Sequence, residues 1–148
     1  MIGRYFEDFS VGDRFETAGK TFSEGEIMDF AFRYDPQRFH IDAEAAKDTI
    51  YGGLIASGIQ TLAVTLRMVM QTGVYEGTGL GSPGIDGLKW FKPVYPGDTL
   101  RGVVEVLETR TSGSKPDRGY VTVRTDTLNQ KDETVMTFVC MQIIKRRD

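Results

Sequence analysis

The second half of the chain carries four runs of strand-like residues, Ile85 to Val94, Thr99 to Arg110, Arg118 to Leu128 and Thr134 to Lys145, separated only by turn signals. Pro93 and Pro96-Gly97-Asp98 mark the first break, Ser112 to Asp117 the second and Asn129 to Asp132 the third. Ahead of these runs, Leu54 to Met70 has only Ser57, Gly58, Gln60, Thr61, Thr65 and Arg67 as non-apolar positions. A helix over about Leu54 to Gln71 is therefore apolar around most of its circumference, and Ile59, Leu62, Ala63, Leu66 and Met70 form its main expected buried stripe. Such a helix has to be enclosed. The pattern predicts an α+β fold in which a curved antiparallel sheet wraps around one long central helix.

The last strand is apolar on both faces, with Val135, Val139, Met141 and Ile143 on one and Met136, Phe138, Cys140 and Ile144 on the other. One face covers the helix, and the other needs a further partner. Sheet-to-sheet association of two chains would supply it, as would a small helix over Ile27 to Tyr34. Trp90 and Phe91 alternate across the first strand and read as core and interface packing. Glycines at 73, 77, 79, 81, 84 and 87 mark a long loop that is expected to line a substrate entrance.

At 148 residues, with 40% hydrophobic and 26% charged side chains, the chain is expected to be one soluble domain over 1–148. No basic leader and no long apolar run is present, so no membrane association and a cytoplasmic location are expected. A net charge of −3 without a basic stripe argues against nucleic acid. One histidine and one cysteine are too few for a structural metal site, and Cys140 reads as a buried strand thiol. Lys145 to Arg147 reads as a frayed basic tail, and residues 1 to 22 as a lead-in strand or extended arm with a turn at Val11-Gly12-Asp13.

The chemistry-bearing residues lie between these parts. Ser23-Glu-Gly-Glu26 is a capping box, followed by Ile27, Phe30, Ala31 and Tyr34 at helical spacing. Pro36 disfavours the α region for Asp35 and ends that helix, which leaves the carboxylate where helix becomes loop. His40 follows five residues later, and Asp42 can cap a short helix from Ala43 to Lys47. A carboxylate and an imidazole folded back toward each other can hold a water and move protons near neutral pH. The same two residues also read as a helix-end aspartate and a histidine satisfied in a turn or core. Gly52-Gly53 reads either as a plain turn or as backbone N–H donors at the start of the central helix. Ser57 either packs against its neighbours or faces the Asp/His pair.

Three ordered blocks, Tyr34 to Asp42, Tyr51-Gly-Gly-Leu-Ile-Ala-Ser-Gly58 and Gly84 to Asp98, resemble the MaoC-like dehydratases of the hotdog fold, a group that includes the (R)-specific enoyl-CoA hydratases. The resemblance covers nearly the whole chain. It implies Asp35 and His40 as the groups that activate water, and Gly52, or Gly53 one residue on, as the N–H donor to a thioester oxyanion. It also implies an enoyl-CoA thioester as substrate and a homodimer as the assembly, and no cofactor is expected. Gln37 stands where the hydratases have Asn, and the proline has moved to 36. Two other activities are compatible with the fold: a thioesterase, disfavoured because Thr49 to Tyr75 contains no Asp or Glu, and a non-catalytic acyl-CoA-binding module. The flanking cations Lys89, Lys92, Arg101 and Arg110 are alternatives for meeting coenzyme A phosphates.

Overall fold

In the computed structural model, which describes residues 3–148, strict side-chain alternation builds the sheet. In β5 (Arg118–Leu128) every second residue is buried: Gly119, Val121, Val123, Thr125 and Thr127 point inward while Tyr120, Arg124 and Asp126 point out. It lies between β4 (Thr99–Thr111) and β6 (Thr134–Lys145), both antiparallel to it. β1 (Arg14–Glu16) and β2 (Lys20–Thr21) pair with successive parts of β4, and β3 (Ile85–Trp90) closes the other edge against β6. The resulting six-stranded sheet runs β1-β4-β5-β6-β3, with β2 beside β4. The inward face of β6 is Met136, Phe138, Cys140 and Ile144, all at most 5% exposed. Burial there pushes the Cys140 thiol up from its ordinary pKa.

Among the described residues there are four α-helices: α1 (Glu24–Tyr34), α2 (Arg38–Ile41), α3 (Ala43–Ala46) and α4 (Gly58–Gln71). Ser23 and Glu26 form the capping box of α1, and Asp42 caps α3 by accepting the Ala45 N–H. The central helix α4 starts four residues later than its hydropathy suggests. Leu54 to Ala56 are extended instead, because the Ile55 N–H donates to Phe39 O and the Ala56 N–H to Val94 O.

The face of α4 that meets the sheet is also the opposite of the expected one. Gln60, Thr61, Thr65, Met68 and Val69 are buried, whereas Ile59 and Met70 are 49% and 47% exposed, Ala63 is exposed and Leu62 and Leu66 are half-buried. Threonines can face the sheet because their hydroxyls are satisfied locally. Thr65 Oγ1 donates to Thr61 O at 2.8 Å, and the Thr65 and Thr127 hydroxyls meet at 2.8 Å. Their small size lets the helix lie close over Gly102, where an added Cβ would meet Thr17 at 3.3 Å and Thr65 at 3.7 Å.

Two further expectations change. The glycine-rich segment does not border the candidate site: Val74, Tyr75 and Thr78 are buried, and backbone bonds from Leu80 to Ile143 O and from Lys145 to Thr78 O hold it along β6. The basic C-terminus is tied down, with Arg146 on Glu7 and Arg147 forking onto Asp8 in the 3-10 turn Phe6–Asp8. The outer face of the sheet carries the Arg124–Glu105 ion pair at 2.7 Å and a hydrogen bond from Thr137 to Asp126 at 2.6 Å, beside the half-buried Val139, Met141 and Ile143. Of the expected N-terminal arm, residues 1–2 lie outside the described residues. Among the described residues no helix is long and apolar enough to cross a membrane.

If the threonine pair supports α4 as described, Thr65→Val will strand the Thr127 hydroxyl and lower unfolding free energy by about 1–3 kcal/mol. Adding Thr127→Val will recover most of that loss in urea unfolding, because both partners are then apolar.

Candidate active site

Helix α1 ends at Asp35, whose N–H still bonds to Ala31 O while its own backbone, φ −155° and ψ 69°, has left the helix. Pro36 makes that departure obligatory. The Gln37 N–H returns to Asp35 O and the His40 N–H to Gln37 O, which folds the chain into α2 and brings His40 back over Asp35. His40 Nε2 lies 3.4 Å from Asp35 Oδ2. The imidazole is 4% exposed, with the Phe39 ring against it at 4.5 Å between centroids.

The other ring nitrogen settles the tautomer. His40 Nδ1 is 2.7 Å from Ile55 O, an acceptor with no proton to give, so Nδ1 carries the hydrogen. In the neutral ring Nε2 is then an acceptor that faces a carboxylate oxygen at a separation longer than a good direct hydrogen bond. A water that donates one proton to each fits this arrangement.

Asp35 is held from both sides. Gln37 Nε2 donates to Oδ1 at 2.8 Å, and Ser57 Oγ donates to Oδ2 at 2.6 Å. Partial burial works to raise its pKa, but the hydrogen bonds from Ser57 and Gln37 and the neighbouring His40 outweigh burial, so its carboxyl sits below the usual value. The fully buried Ser57 is also the N-cap of α4, accepting the Ile59 N–H at 3.2 Å. The positive end of the α4 dipole thus faces the Asp35 carboxylate.

Asp35, Gln37, His40 and Gly58 line one cleft of about 610 Å³, walled by Phe39, Tyr51, Trp90 and Phe91. Gly52 and Gly53 are not at the helix start. They form the turn before the extended 54–56 segment, with Gly52 at φ +69°, and neither lines the cleft. The glycine that opens α4 is Gly58, and among the described residues its N–H has no hydrogen-bond partner. Ser57 followed by Gly58 is itself a helix-start signal, a small polar cap before the periodic run, and it marks the helix start better than the glycine pair does. Trp90 is also outside the core: it is 46% exposed and its Nε1 donates to Gly58 O at 3.0 Å. Lys92 borders the cleft but is paired with Glu133. Among the described residues no three His, Cys, Asp or Glu side chains converge on a possible metal position.

Comparison with known proteins places this cleft in context. The family described as MaoC like domain matches residues 8–129. The crystal structure of the MaoC-like dehydratase from Rhodospirillum rubrum superposes with a TM-score of 0.92 at 39% identity, over 99% of either chain. Mesaconyl-CoA hydratase of Cereibacter sphaeroides is 30% identical across 99% of this chain, which spans 42% of that protein. R-Hydratase PhaJ1 from Pseudomonas aeruginosa superposes with a TM-score of 0.77 at 25% identity, over 97% of this chain and 86% of PhaJ1. The architecture is the hotdog fold, shared with a double-hotdog protein of Mycobacterium tuberculosis.

Because two donors hold the Asp35 carboxyl low, Ser57→Ala and Gln37→Leu will each raise its pKa, as read by carbon-13 NMR titration of the carboxyl. The sign carries to stability. A depressed carboxylate pKa stabilises the fold above the unfolded value and loses that contribution as pH falls through the folded one. Both variants will therefore lose less stability than the wild type on acidification.

Proposed function

The chain belongs to the MaoC-like domain family, and we propose that it is a hydro-lyase that reversibly adds water across a trans-2-enoyl-CoA to give the (R)-3-hydroxyacyl-CoA. The observation that carries this reading is the meeting, in one cleft, of Asp35, of His40 with its Nδ1 on the Ile55 carbonyl, and of Gly58, whose N–H has no partner among the described residues. The names of two relatives, a CoA-thioester hydratase and an R-hydratase, agree with it.

The proposed chemistry follows from the donors and acceptors. Water bridges Asp35 Oδ2 and His40 Nε2. Its oxygen attacks the β-carbon while Nε2 takes one proton, and the electron pair of the double bond moves through the α-carbon toward the thioester oxygen. The Gly58 N–H, at the positive end of α4, stabilises that enolate-like oxygen. The imidazolium, held beside an ionised Asp35, then returns its proton to the α-carbon from the same face. The net change is one water added and no covalent intermediate formed. Ser57 and Gln37 keep Asp35 ionised and oriented.

The same reading gives the protein a second copy of itself as partner. Ile59, Met70 and Ile85 leave apolar surface along α4 and the β3 edge, and a homodimer across that region would cover it.

Loss of the conjugated-enoyl absorbance of crotonyl-CoA and of a longer trans-2-enoyl-CoA tests the assignment. Turnover by the wild type that Asp35→Asn and His40→Ala each reduce by at least about a hundredfold supports it. A wild type inactive on both substrates, or activity that survives His40→Ala, overturns it. Sedimentation equilibrium at twice the 16.6 kDa chain mass is the expected assembly result.

A further inference from the structure

We propose that Trp90 is a positioning residue that sets the direction of the Gly58 N–H, an inference that rests on the hydratase reading of the cleft. Its indole Nε1 donates to the Gly58 carbonyl at 3.0 Å, and the N–H of the same peptide unit, that of Ile59, is held by Ser57 Oγ at 3.2 Å. The Gly58–Ile59 peptide is therefore clamped at both of its polar ends. The free N–H lies one Cα away, so the clamp leaves little freedom in where it points.

The indole also occupies the space of a side chain that Gly58 lacks. A Cβ on Gly58 would lie 2.6 Å from Trp90 Cε2 and 2.7 Å from Nε1. Glycine at 58 is thus required by the tryptophan.

A local irregularity in β3 puts the ring there. Ile85 stands opposite Cys140 and Asp86 opposite Val139, but Lys89 stands opposite Thr137 and Trp90 opposite Met136. Three steps on β3 cover two on β6, with Gly87 at φ +61° inside the bulge. Without the extra residue Trp90 would stand opposite Val135 instead; the bulge brings it opposite the buried Met136, whose partner on β5 is the buried Thr127.

Trp90 is the only tryptophan in the chain, so its emission reports on this site alone. The test compares wild type, Trp90→Phe, which keeps a ring and loses the N–H, and Gly58→Ala, which displaces the indole. Saturating butyryl-CoA, a saturated thioester that cannot be hydrated, should change the Trp90 emission of the wild type. The carbonyl stretch of bound [1-13C]butyryl-CoA should lie below its solution frequency in the wild type and return toward it in both variants. On crotonyl-CoA, Trp90→Phe should lower kcat by about 10- to 100-fold with KM within about threefold, the signature of a displaced group rather than lost binding. A carbonyl band in the variants that stays at the frequency of the bound wild type, or unchanged kcat, overturns the proposal. If the wild type binds butyryl-CoA but does not hydrate crotonyl-CoA, the hydratase reading fails while the band still decides the positioning role. If Trp90→Phe fails to fold, the band in Gly58→Ala decides. Absence of butyryl-CoA binding to the wild type overturns both.

Discussion

The Ser57 hydroxyl is the contact on which the rest of the cleft depends. It gives its proton to Asp35 Oδ2 at 2.6 Å, and its oxygen accepts the Ile59 N–H that opens α4. One side chain therefore ties the end of α1, the start of α4 and the charge state of the carboxylate together. The extended 54–56 segment delivers it, pinned on one side to Phe39 O and on the other to Val94 O. Its middle residue, Ile55, also supplies the carbonyl that sets the His40 tautomer. The sheet contributes to the site mainly as a support, and the chemistry is concentrated where the end of α1, the short helix α2 and the start of α4 converge.

That concentration explains which parts could be read from residue order. β5 and β6 have the limits their alternation and turn residues imply, 118–128 and 134–145, because a period of two and a short polar break are local properties. The capping box at Ser23 and the helix stop at Pro36 are local too, so the position of Asp35 at a helix end was legible. The start of α4 was not. Leu54 to Ala56 are apolar enough to continue the helical run, and only long-range backbone partners hold them extended. The buried face of α4 was misread for a different reason: hydropathy counts Thr61 and Thr65 as polar, yet a threonine bonded to the preceding turn behaves as a small branched filler. Trp90 reads as packing because its bond to the Gly58 carbonyl, 32 residues back along the chain, is a long-range contact that alternation does not encode.

Gln37, the residue that departs from the familiar pattern, is itself part of the site. Its amide donates to Asp35 Oδ1 at 2.8 Å. With Ser57 on the other oxygen, the carboxylate has a donor on each atom, which fixes its plane as well as its charge.

The uncovered apolar side of α4 has a consequence beyond the site. In the proposed homodimer, a second copy covering Ile59, Ala63 and Met70 would link folding to assembly. By mass action, an assembly of this kind gains stability as the protein becomes more concentrated, and dilution alone weakens it. Because Ile59 also follows the peptide that carries the free N–H, the order of the cleft in such a dimer would depend on how much protein is present.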